Sequence, residues 1–141
     1  DFDLALLRIR DKEAMISHVA HMTDEKTTLH LFEDTWAVGA GLGQPPFPTW
    51  GMISNLDQRI SGNRFIFSSA PIIFGNSGGT LYHFNREKSR YEMIGVPAMI
   101  SGSWSTGPVT HMSWAIPMDT VFRFLRDNKY QFIFGEKVDK K

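Results

Sequence analysis

The chain has 141 residues, 15 Lys plus Arg against 15 Asp plus Glu, and no cysteine. That length suits one ordinary globular domain with a sizeable core, and the charge balance excludes a global basic field for nucleic acid. Without cysteine there are no disulfides and no cysteine-based zinc or redox sites, and no run of 18 apolar residues marks a membrane span.

Along the chain, Leu4-Ala5-Leu6-Leu7-Arg8-Ile9 reads as a buried strand. Residues 11–28 are polar, and the choice between helix and loop stays open there. Leu29-His30-Leu31-Phe32 predicts a strand, and Trp36-Ala37-Val38 leads into the loop Gly39-Ala40-Gly41-Leu42-Gly43-Gln44-Pro45-Pro46. Trp50-Gly51-Met52-Ile53-Ser54 and Arg64-Phe65-Ile66-Phe67-Ser68 predict further strands. Thr80-Leu81-Tyr82-His83-Phe84 and Tyr91-Glu92-Met93-Ile94-Gly95-Val96 predict a hairpin across a polar linker. Residues 101–107 predict a Gly/Ser-rich loop, and His111-Met112-Ser113-Trp114-Ala115-Ile116 the last strand. Asp119 can cap a helix beginning at Thr120, with Val121, Phe122, Phe124 and Leu125 on its apolar face. Short strands, frequent turns and one terminal helix predict an all-β barrel or sandwich with a C-terminal α-helix. The tail Lys137-Val138-Asp139-Lys140-Lys141 reads as solvated.

Gly75-Asn76-Ser77-Gly78-Gly79 is the segment with chemical content. A glycine-flanked serine sits on a tight turn that exposes its hydroxyl and brings backbone amides near a ligand. Serine-based acyl transfer needs that hydroxyl, a base, a carboxylate to orient the base, and donors for the oxyanion.

Asp3-Leu4-Ala5-Leu6-Leu7-Arg8-Ile9, the glycine loop with Trp50-Gly51-Met52-Ile53-Ser54, Gly75-Asn76-Ser77-Gly78-Gly79 and Ser113-Trp114-Ala115-Ile116-Pro117 follow one another in a fixed order. In that order they resemble the trypsin-like serine peptidases, in particular the HtrA-like branch. The resemblance runs from residue 3 to about residue 125. It implies a trypsin-like β-barrel, the second of two, plus the end of the first. Residues 1–28 would be the end of the first barrel and the inter-barrel linker, and residues 29–141 the second barrel with its helix. It makes Ser77 the nucleophile, Asp3 the orienting carboxylate, and Gly75, Asn76 and Ser77 the oxyanion turn. The family's histidine precedes its aspartate, so an upstream segment or another chain is expected to supply it. Leu4, Leu6, Leu7 and Ile9 are expected to seek partners there too.

The resemblance further assigns substrate contacts to Pro71, Ile72, Ile73 and Phe74, to Val96, Pro97, Ala98 and Met99, and to Ser113-Trp114-Ala115. Pro71 stands six residues before the serine, where enzymes that cut after Arg or Lys carry an acid. The apolar lining implies a preference for an aliphatic or aromatic residue before the scissile bond. The implied partners are a polypeptide substrate, the histidine-bearing segment and further copies of the chain, with no metal or organic cofactor.

The five histidines have plainer readings. His18 and His21, three apart, could share a helix face, but no cysteine or carboxylate pattern completes a metal site. His30 and His83 read as strand residues at the surface or core edge. His111 opens a strand that could line the substrate groove, and Trp104 could touch substrate. Gly39-x-Gly41-x-Gly43 lacks the spacing and the Lys-Ser/Thr of a phosphate loop. The rival to an enzyme is a protease-like scaffold, catalytically inactive and used for binding or structure.

Overall fold

The computed structural model describes residues 3–10, 18–103, 105 and 107–137. Trp104, the tail beyond Lys137 and residues 11–17 of the polar stretch lie outside the described residues, and so do the expectations attached to them.

The chain forms β1 (His21–Met22), β2 (Asp34–Gly39), a 3-10 turn (Gly41–Gly43), β3 (Phe47–Ile60), β4 (Asn63–Ser68), β5 (Thr80–Asn85), β6 (Arg90–Ser103), β7 (Gly107–Pro117), α1 (Met118–Asp127) and a second 3-10 turn (Gln131–Phe134). Among the described residues, β2, β3, β4, β7, β6 and β5 pair antiparallel in that cyclic order, and the β6–β7 pairing closes the ring. β1 adds in parallel beside Glu92 and Met93 of β6. Of the barrel and the sandwich that the strand pattern allows, the chain forms the barrel, with the expected C-terminal helix.

Strand alternation fills the barrel. Ala37, Ile53, Ile66, Leu81, Ile94 and Ala115, one from each ring strand, are buried in one cluster with Ala70 and Ile72. At one end of the barrel Thr35 and Ser68 hydroxyls share a 2.8 Å hydrogen bond, and Ser113 Oγ donates to the carbonyls of Ser68 and Ala70. These buried hydroxyls therefore have partners.

β4 and β5 stand three places apart either way round the ring, on opposite walls. The segment that joins them, residues 69–79, crosses the barrel end and inserts Ala70 and Ile72 into the core. Gly51 permits this crossing: a Cβ there would lie 2.1 Å from the Ala70 nitrogen. Outside the barrel, α1 buries Met118, Val121, Phe122 and Leu125 against Phe65 and Ile116.

Three local expectations are corrected. Residues 3–10 carry no strand, because the ring is closed and β1 holds the spare edge of β6. Leu4 leans on the helix cluster, while Leu7 is 88% exposed and Ile9 is exposed as well. Residues 29–32 form a turn rather than a strand, with Phe32 at φ 68°. The helix begins at Met118 with Pro117 at its N-cap, so Asp119 lies in the first turn, where its carboxylate accepts the Thr120 amide at 2.7 Å. β3 and β6 also run longer than expected, β6 into the Gly/Ser-rich loop as far as Ser103.

Candidate active site

Backbone hydrogen bonds along its length hold the crossing segment in place. Ile72 N–H donates to the Thr110 carbonyl of β7 at 2.9 Å, Leu42 N–H to the Phe74 carbonyl at 2.8 Å, and Gly78 N–H to the Pro97 carbonyl of β6 at 3.0 Å. Within it, Gly75 adopts φ 99°, a left-handed conformation that favours glycine. Asn76 is 1% exposed beneath the turn. Its amide donates to the Ile73 carbonyl at 3.0 Å, its carbonyl accepts Gly79 N–H at 3.0 Å, and its side-chain Oδ1 accepts Ile73 N–H at 3.2 Å. The glycine loop makes room for this plug: a Cβ on Gly41 would lie 2.7 Å from Asn76 Oδ1.

Above that plug Ser77 is exposed. Its Oγ donates to the Ala98 carbonyl at 3.5 Å, a long bond. Among the described residues, neither the Gly75 nor the Ser77 amide donates to a backbone carbonyl, whereas those of Asn76, Gly78 and Gly79 all do. The turn thus holds two uncommitted donors, two residues apart, beside a serine hydroxyl. Such a pair can receive an anionic oxygen without first breaking a bond.

Ala98 owes its position to a bulge. Pro97 pairs with Ala115 and Met99 with Trp114, so Ala98 is left opposite no residue of β7. A bulge re-aims the strand locally, and here the Ala98 carbonyl meets Ser77. Pro97 is buried, while Val96, Ala98 and Met99 pack partly on the helix cluster. Pro71 and Phe74 are exposed, Phe74 to 66%, and Ile73 is half-buried. Pro71 also accepts the Thr49 hydroxyl at 2.5 Å.

The structure therefore gathers Gly75, Asn76, Ser77, Pro71, Ile73, Phe74 and residues 96–99 into one region. Asp3 is exposed and makes no hydrogen bond or ion pair among the described residues. No histidine of the described residues bonds to Ser77. His21, His30 and His111 are exposed. His83 is committed elsewhere, between Glu33 (3.4 Å) and Glu92 (3.9 Å). Among the described residues, no group of His, Asp and Glu is arranged to hold a metal ion.

Sequence reading overlooked a second polar centre. Glu92 is 0% exposed, yet it sits in an otherwise apolar run of β6. Lys88 Nζ and Arg90 Nε and Nη2 donate to its Oε1, and Asn85 Nδ2 donates to its Oε2. Burial pushes this carboxyl up, but the bonds from Lys88, Arg90 and Asn85 outweigh it and bring its pKa down to about 2. The signal was available: Glu92 and Ile94 share strand parity, so an inward Ile94 places Glu92 inward as well.

No family model matches the chain, and no curated protein matches it. Solved structures do. The HtrA-type protease AlgW with a tripeptide superposes with a TM-score of 0.64 at 21% identity, over 80% of this chain and 36% of that one. AlgW with a decapeptide gives a TM-score of 0.64 at 23% identity, over 79% of this chain and 34% of that one. The chain thus spans about a third of the length of the structures it matches. Over that length the chain shares the barrel fold of these HtrA-type protease structures.

Proposed function

We propose that the chain is the nucleophile-bearing portion of a trypsin-like serine endopeptidase. The single observation that carries this reading is the uncommitted amide pair of Gly75 and Ser77 beside the exposed Ser77 hydroxyl. In the proposed reaction Ser77 Oγ attacks a peptide carbonyl and gives its proton to a histidine. The oxygen that gains charge is received by the two amides, with Asn76 supporting the turn from below. The histidine then protonates the leaving amine, and water releases the acyl-enzyme and restores Ser77. An upstream segment or another chain supplies that histidine, and Asp3 orients it. Residues 1–28 belong in this reading to the end of a first barrel and the linker, and residues 29–141 to the second. The substrate is a polypeptide, with an aliphatic or aromatic residue before the scissile bond, beside Pro71, Ile73, Phe74 and residues 96–99.

The alternative is an inactive protease-like scaffold. It is favoured by one observation, that the only bond of Ser77 Oγ among the described residues is to a carbonyl. Fluorophosphonate labelling of natively isolated protein separates the two, with Ser77→Ala as control and the modified peptide located by mass spectrometry. Labelling at Ser77 that vanishes in the control supports the peptidase. A folded protein that takes no label supports the scaffold.

A further inference from the structure

Strands of a closed barrel turn alternate side chains outward, and on one wall those side chains are aromatic. On β2 the buried Thr35 and Ala37 flank Trp36, and on β5 the buried Leu81 and His83 flank Tyr82, so Trp36 and Tyr82 face outward. Register sets Trp36 beside Trp50 of β3 and beside Tyr82, and sets Phe84 beside Tyr91 of β6. Tyr91 joins the two groups: its ring meets Trp36 edge-on at 5.0 Å and Phe84 edge-on at 5.2 Å. The result is one aromatic band across β3, β2, β5 and β6.

The wall made by β4 and β7 has its cover, because α1 buries Met118, Val121, Phe122 and Leu125 over Phe65 and Ile116. The band is left open, with Trp50 58%, Tyr91 50% and Phe84 41% exposed. The open parts of these three rings amount to roughly 350 Å². Val38 and Pro48 extend the patch along a groove of about 600 Å³ that they share with Trp36, Tyr82 and Tyr91. A contiguous apolar surface of this size marks an interaction face. A standard interface covers about 800 Å² a side, with an apolar centre and a polar rim, so the band supplies such a centre.

The polar groups of the face indicate the occupant. The two grooves that border the band carry four acidic and four basic residues, Asp34 and Arg90 among them. The whole chain is balanced likewise, with a formal net charge of zero. Such a rim selects neither a basic nor an acidic partner, and it does not repel a surface identical to itself. Polar atoms of the face already have partners within the chain: Trp50 Nε1 donates to Asp34 Oδ1 at 2.9 Å, and Arg90 is bonded to Glu92. They can be covered without losing those bonds.

We propose that the aromatic band is a self-association face, on which a second copy of this chain seats the same band about a two-fold axis. The Trp50 end of one copy then meets the Phe84 and Tyr91 end of the other, as an isologous contact requires. The face does not rest on the peptidase reading.

The test is sedimentation velocity of the full chain from about 1 μM to about 200 μM. The expected result is a reversible passage from monomer to dimer within that range. Trp50→Glu and, separately, Tyr91→Glu should each weaken it at least about tenfold. Phe132→Glu replaces another exposed aromatic, 59% exposed and outside the band, and should leave the dimer unchanged. Circular dichroism establishes that each variant is folded; Trp50 and Tyr91 are both half in water, and if one variant fails to fold the other decides. A monomer throughout the range overturns the proposal. So does a dimer that survives both band substitutions, or one that Phe132→Glu abolishes. A trimer as the end state overturns the two-fold pairing.

Discussion

Replacing Glu92 by Gln removes a buried charge and leaves shape and volume nearly unchanged. The carboxyl falls from an ordinary 4.5 to about 2 in the folded protein, through the bonds from Lys88, Arg90 and Asn85 that outweigh its burial. A fall of that size corresponds to about 3 kcal/mol of folding free energy at neutral pH. It also matches the general cost of breaking a buried ion pair from one side, about 3–5 kcal/mol. Because the folded-state pKa is depressed, this stabilisation is fully present above the unfolded value. It is lost as pH falls from about 4.5 to about 2. Urea denaturation of the parent and of Glu92→Gln, monitored by circular dichroism between pH 7 and pH 2, reads it directly. The parent should be about 3 kcal/mol more stable at pH 7, and the two curves should converge towards pH 2. A gap that is absent at pH 7, or that stays constant down to pH 2, would refute the reasoning.

Gly51→Ala should displace the crossing segment, since its Cβ would lie 2.1 Å from the Ala70 nitrogen. A loss of about 2–3 kcal/mol is expected from urea midpoints, together with a changed Ser77 environment. Ser113→Ala removes the donor to the Ser68 and Ala70 carbonyls and should cost about 1–3 kcal/mol, measured the same way. Arg126 holds Glu25 and Glu136 at a half-exposed surface, so Arg126→Ala should lower the urea midpoint only slightly. That small loss should shrink further in 0.5 M salt, roughly in step with the shorter screening length.

The barrel was legible because its strands carry the period-two signal. Ala37, Ile53, Ile66, Leu81, Ile94 and Ala115 are spaced so that each strand turns one apolar side chain inward. The serine turn was legible through its glycines. Residues 4–9 were misread for an instructive reason. Their apolar content meets the criterion for a strand, but pairing requires a free edge, and among the described residues β1 takes the spare edge of β6. The helix start was misplaced by two residues because Asp119 satisfies the rule for a capping side chain while Pro117 supplies the extended backbone at the cap. The Ala98 bulge and the Glu33–His83 pair had no sequence signal, since each depends on registers between strands distant in the chain.

The segment that carries Ser77 is anchored on opposite walls of the barrel, at the end of β4 and the start of β5. It resembles a bowstring, whose shape is set by the distance between its two fixings. Its geometry cannot exist until β2 has found β5 and β4 has found β7, pairings that join residues about 45 positions apart. The serine turn is then among the last parts of the chain to take shape during folding. Its chemical reactivity, followed in time after dilution from denaturant, would report when the ring closes rather than when the first strands form.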